Sequence, residues 1–165
     1  MAKKVLIVMG SDSDLEQITP AWKVLDGFGV AYEVTVASAH RSPERVVALA
    51  RRARDDGFGV VLAAAGGAAH LAGVLAANTT LPVVAVPVVV GSLGGVDALL
   101  SAVQMPGGVP IASVGIGGAR NAGFFAAAIL ASTDPDLAKH LEAFREQQAK
   151  GVAEADERVQ KKLGR

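Results

Sequence analysis

The sequence predicts an α/β fold of three layers, with helices on both faces of a central parallel sheet. Two observations carry this. Five short β-rich runs recur about 25 residues apart. Each gap between them has room for one helix and carries apolar residues at helical spacing, the rhythm of repeated βαβ units.

The elements follow in order. Val5-Leu6-Ile7-Val8-Met9 is the first strand. A helix starts near Asp12 and carries Leu15, Ile18, Trp22, Leu25 and Phe28, with its stop at residues 27–29. Pro20 inside it implies a late start or a kink. Residues 32–37 form the second strand. Ser42 caps the next helix, with Pro43 at its first position and Glu44 in its first turn. Val46, Val47, Leu49 and Ala50 face inward, and Gly57 ends it. Strands at 60–64, 83–86 and 111–116 alternate with helices at 68–77, 96–103 and 121–131. The class is flavodoxin- or Rossmann-like, with one α/β nucleotide-binding unit over 1–132.

The tail, 133–165, differs. It holds 14 of the 32 charged residues. Pro135 opens a helix with Leu137, Leu141 and Phe144 on one stripe, and Val152, Val159 and Leu163 mark a second stretch after Gly151. A mixed-charge amphipathic helix reads as an arm packed by one face, on its own or a neighbouring subunit.

Composition narrows the function. Sixteen basic and sixteen acidic residues cancel, so no basic field invites nucleic acid or anionic lipid. The absence of Cys excludes disulfides, thiolate metal sites and a Cys nucleophile. The apolar run 5–9 is too short for a signal peptide, and Ser11-Asp12-Ser13-Asp14 ends it. Residues 59–77 carry one polar side chain, His70, yet Gly66-Gly67 interrupts them. They read as buried parallel sheet rather than membrane span. A cytoplasmic protein is expected. Mean hydropathy of +0.38 is high for a chain this small, which points to surface hidden in a homo-oligomer.

In an open parallel sheet, ligands bind at the carboxyl ends of the strands. Three segments fall there. Gly10, Ser11, Ser13 and Asp14 follow the first strand, joining free amides and two hydroxyls at a helix start. Asp14 suits sugar hydroxyls, since it repels phosphate at contact distance. The segment also reads as a well-capped helix, and is neither G-x-G-x-x-G nor a P-loop. Ser38, Ala39, His40 and Arg41 follow the second strand. A neighbouring cation and a helix N-terminus favour the neutral imidazole of His40, the form that accepts a proton. Arg41 can clamp a phosphate or carboxylate, although a surface loop with a chance His has the same look. Gly66, Gly67, Ala68, Ala69, His70 and Leu71 follow the third strand. A loop with so few side chains lets a ligand touch backbone, or serves close helix–sheet packing. His140, in the tail, reads as a solvent-facing helix residue.

These three segments in this order resemble the class I N5-carboxyaminoimidazole ribonucleotide mutases of purine biosynthesis. The likeness continues through Thr80-Leu81-Pro82, Gly95-Val96-Asp97-Ala98-Leu99, Val103-Gln104-Met105-Pro106-Gly107-Gly108-Val109-Pro110 and Asn121-Ala122-Gly123. It covers essentially 5–132. Ala72 stands where the family usually has Pro, and Ser42 where Thr is common.

The resemblance implies conversion of N5-carboxyaminoimidazole ribonucleotide into 4-carboxy-5-aminoimidazole ribonucleotide without ATP, metal or cofactor. It implies that Ser11, Asp14 and Arg41 bind the ribonucleotide, that His40 is the acid/base and that loop 66–71 lines the CO2 pocket. It also implies an octamer. The nearest rival, a class II carboxylase that uses CO2 directly, resembles this chain at Ser-Ala-His but lacks Gly-Gly-Ala-Ala-His. A non-catalytic flavodoxin-like nucleotide-binding module accounts for the fold but not for His40 beside Arg41. A dinucleotide-dependent oxidoreductase is disfavoured by the missing G-x-G-x-x-G.

Overall fold

A computed structural model describes residues 3–165. Five parallel strands form one sheet: β1 (Lys4–Met9), β2 (Tyr32–Val36), β3 (Phe58–Ala65), β4 (Val83–Pro87) and β5 (Ala112–Ser113). Their order is β2-β1-β3-β4-β5. The helices are α1 (Leu15–Gly27), α2 (Pro43–Arg52), α3 (Leu71–Ala76), α4 (Val96–Val103), α5 (Ala119–Ala131) and α6 (Pro135–Lys162). The fold is the flavodoxin-like α/β class that the strand rhythm predicts.

Alternation along β1 splits the core into two layers. Val5, Ile7 and Met9 point to Ile18, Ala21 and Leu25 of α1 and to Ala122, Ala126 and Leu130 of α5. Leu6 and Val8 point the other way, to Val46 and Ala50 of α2, Leu71 and Leu75 of α3 and Ala102 of α4. A strand buried on both faces is apolar throughout, which explains runs such as Val60-Val61-Leu62-Ala63-Ala64. With few aromatics, the layers close by bringing backbones together. At Gly123 of α5 any Cβ would run into the Ala21 carbonyl and Val24 of α1.

Several boundaries differ from expectation. The fifth strand covers only Ala112–Ser113, not 111–116. Pro110 precedes it, and past Val114 the next backbone hydrogen bond to β4 comes from the Gly117 amide, which donates to the Pro87 carbonyl at 3.0 Å. The third helix starts at Leu71 rather than Ala68, because Gly67 (φ 62°) and Ala69 (φ 37°) adopt left-handed backbone that no α-helix continues. The first helix starts late, at Leu15, after a 3-10 turn at Asp12–Asp14, and runs through Pro20.

The tail is one helix, not two stretches. Asp134 caps it by accepting from the Asp136 and Leu137 amides at 3.2 and 3.1 Å. It passes through Gly151 without interruption. Leu137 is buried in the α1/α5 layer, and the Phe144 ring meets Phe28 and Phe124 at centroid distances of 5.8 and 4.8 Å. Beyond that point Val152, Val159 and Leu163 are exposed.

Candidate active site

The strand order reverses between β1 and β3, so the loops after β1 and β3 leave the sheet on opposite faces and open a crevice. A cleft of about 340 Å³ lies there. Gly10, Ser11, Ser13 and Asp14 line it after β1, and Ser38, Ala39, His40 and Arg41 after β2. Gly66, Ala69, His70 and Leu71 line it after β3. Gly67 and Ala68 belong to the same loop but do not line the cleft. Two other clefts are of similar size, one between β2 and α2 and one beside Phe28, Phe124 and Phe144. Neither sits at the carboxyl ends of the strands.

The first loop is a capping box. The Ser11 hydroxyl accepts from the Ser13 amide at 3.3 Å, and Asp14 Oδ2 accepts from the Ser11 amide at 3.1 Å. The Ser13 hydroxyl donates to Ser11 Oγ at 2.9 Å. Asp14 is buried (4% exposed). Burial pushes its carboxyl above the ordinary value, while the Ser11 amide, the Ser13 hydroxyl and the Arg41 charge pull it back. The segment is thus a well-capped turn and a row of polar groups on the cleft wall at once.

The second loop is knotted by its serines. Ser42 Oγ accepts from the Ser38 amide at 3.0 Å and donates to the Ser38 carbonyl at 3.2 Å. Ser38 Oγ accepts from the Arg41 amide at 3.2 Å. Arg41 Nη2 donates to the Gly10 carbonyl at 3.1 Å, tying the second loop to the first. The guanidinium is therefore held at the cleft rather than swinging in solvent. Such preorganisation reduces what a ligand must order on binding.

The third loop brings His70 to His40. Their Nδ1 and Nε2 atoms are 2.8 Å apart, with the rings edge to face. One nitrogen donates and the other accepts, so a single proton occupies the space between them. His70 is exposed at the cleft, not a buried core histidine, and His140 is exposed on α6. Gly66 is required by proximity: a Cβ there would collide with the Val90 side chain. Ala65, at the head of the third loop, also lines the cleft, and Val90 is a cleft residue that sequence reasoning missed. The position of Val90 just past the carboxyl end of β4 was the signal for it. Among the described residues, no three His, Asp or Glu side chains converge as metal ligands do. No helix of the described residues is long and apolar enough to cross a membrane.

Fold and site together define a flavodoxin-like α/β protein with a polar-lined crevice at its switch point and a histidine pair beside it. The sequence profile of the AIR carboxylase family matches residues 4–151, and the chain belongs to that family. It is 50% identical over 161 residues to the N5-carboxyaminoimidazole ribonucleotide mutase of Bacillus subtilis, covering 96% of this chain and 99% of that one. It is 46% identical over 157 residues to the mutase of the same name from Thermotoga maritima, covering 95% and 92%. The crystal structure of Treponema denticola PurE2-S38D superposes with a TM-score of 0.88 at 28% identity, covering 96% of this chain and 99% of that chain.

Proposed function

We propose that this chain is an N5-carboxyaminoimidazole ribonucleotide mutase of purine biosynthesis. The observation that carries the reading is His40, held at the cleft beside a loop almost without side chains, in the same cleft as Ser11, Asp14 and its neighbour Arg41. The names of its relatives point the same way.

The reaction moves a carboxylate from an exocyclic nitrogen to the neighbouring ring carbon. His40 gives a proton to the nitrogen, the N–C bond breaks, and CO2 leaves. The ring carbon then attacks CO2, and its own proton returns to His40, restoring aromaticity. One imidazole serves both steps because it passes from acid to base and back. Ser11, Ser13 and Asp14 take the ribose and phosphate end, with Asp14 on sugar hydroxyls. Arg41, already tied to Gly10 and Ser38, supplies the fixed positive charge. Gly66, Ala69, His70 and Leu71 surround the CO2, a small neutral molecule that a dry, narrow wall retains, and Gly67 and Ala68 shape their loop from behind.

The reading brings with it a cytoplasmic homo-octamer. Val96, Leu100 and Val103 form an exposed apolar stripe on α4. A contiguous apolar face of this kind supports association between copies.

The test follows N5-carboxyaminoimidazole ribonucleotide by ultraviolet absorbance. Cofactor-free conversion by wild type that disappears in His40→Asn upholds the reading. No conversion by folded wild type overturns it.

A further inference from the structure

Gln17 lies on the outer side of α1 and takes no part in the capping box or the histidine pair. Its side-chain amide makes two hydrogen bonds to one residue of another segment. Nε2 donates to the Val89 carbonyl at 3.1 Å, and Oε1 accepts from the Val89 amide at 2.9 Å. This reproduces a backbone–backbone pair and pins Val89 from both sides. The next residue, Val90, is a wall of the cleft and fills the space that Gly66 leaves open.

Within one copy of the chain, few other hydrogen bonds tie this segment to the rest of the fold, although residues 91–93 form a 3-10 turn of their own. Val88 ends the sheet pairing through its amide bond to Ala65 at 3.0 Å. After Val90 come Gly91, Gly94 and Gly95, all with positive φ. Glycine in that region permits many backbone paths. Among the described residues, no other side chain hydrogen-bonds to residues 88–95.

We propose that Gln17 is a positioning residue that keeps Val90 closed over the CO2 pocket and so sets how much CO2 escapes during the reaction. The inference rests on the mutase reading. After the N–C bond breaks, the bound aminoimidazole and CO2 have two fates. Attack by the ring carbon gives product, with the carbon-bound proton going to His40. Departure of CO2 leaves free aminoimidazole ribonucleotide, with the former acid's proton on its nitrogen. A loosened wall favours departure and admits outside CO2.

The experiment supplies N5-carboxyaminoimidazole ribonucleotide in buffer containing ¹³C-bicarbonate. It measures ¹³C in the carboxylated product and the aminoimidazole ribonucleotide released per product formed, with loss in enzyme-free buffer subtracted. Gln17→Met keeps the length but removes both hydrogen bonds. Gln17→Glu keeps an acceptor for the Val89 amide but sets an oxygen against its carbonyl. Val90→Ala removes the wall itself. Wild type is expected to keep most of its own carbon. Gln17→Met is expected to raise release and labelling about tenfold, with Gln17→Glu between it and wild type. An unchanged partition in folded Gln17→Met overturns the inference, and so does a leak in Val90→Ala that Gln17→Met does not share. Either result leaves the mutase reading standing. Absence of product from wild type sinks that reading instead, and the inference with it.

Discussion

His40 Nε2 stands 2.8 Å from His70 Nδ1, although the two lie on loops after different strands and 30 residues apart. The hydrogen bond fixes the direction of one ring by the other. It also limits the pair: two protons cannot occupy the gap between the nitrogens. His40 has its orientation set before a substrate arrives, which is what an acid/base group needs.

The pair predicts unequal losses. His40→Asn should lower kcat by about 10²- to 10⁴-fold, the usual contribution of a general acid/base. His70→Asn removes only the orienting bond and should cost about tenfold. Ribonucleotide affinity, measured by calorimetry, should change little in either. Equal losses would show that the two rings share the proton transfer.

Gly66→Ala should destabilise the fold by about 1–3 kcal/mol, because its methyl collides with Val90 and lies close to the Val88 carbonyl. Denaturant titration reads this directly. Adding Val90→Ala should recover part of the loss, since it removes the Val90 methyls. A double mutant no better than Gly66→Ala would place the strain at the Val88 carbonyl.

Asp14 links stability to pH. Burial raises its carboxyl above the ordinary value, so the folded state holds the proton more tightly than the unfolded one. Its stabilising share is therefore complete below the unfolded value of 3.8 and is lost as pH rises through the higher folded value. Wild type should lose stability relative to Asp14→Asn across that window. Paired melts from pH 3 upward test the sign. Ribonucleotide binding should weaken in Asp14→Asn at neutral pH, where the carboxylate is available to sugar hydroxyls.

Leu100→Asp tests association. Leu100 is 48% exposed in the single chain, so a charge there should change the stability of one copy by no more than about 0.5 kcal/mol. Light scattering should nevertheless show a smaller assembly. Unchanged mass would move the interface elsewhere, first to the exposed end of α6.

Much of the architecture was legible because β1 and β3 are buried on both faces and their helices carry clear apolar spacing. Val5 to Met9 and the start of α2 at Pro43-Glu44 needed no tertiary information, whereas Ser42, expected to cap α2 with its side chain, spends its hydroxyl on Ser38 instead. The fifth strand is shorter than its pattern implies: Val114 and Ile116 look like sheet, yet the ladder to β4 closes at Ser113. The start of α3 was placed early because Ala68 and Ala69 are good helix formers, yet Ala69 is held left-handed by its loop. At the cleft, each loop could be read as a unit. The bond between His40 and His70 could not, since it depends on β2 and β3 flanking β1. The same holds for Gln17 and Val89, 72 residues apart.

The strand order also governs what happens while the chain is being made. β1 is the first strand to emerge, but its two neighbours in the sheet are β2 and β3. Residue 65 must be synthesised before β1 can be paired along both edges. At ordinary translation speeds that interval is about 3 to 11 s. The face of β1 that meets α5 waits longer still. Throughout that time Val5, Leu6, Ile7 and Val8 form an open apolar edge, the kind of segment that chaperones bind and that neighbouring nascent chains can capture. A strand that the finished sheet encloses on both edges is thus an exposed liability of the unfinished chain.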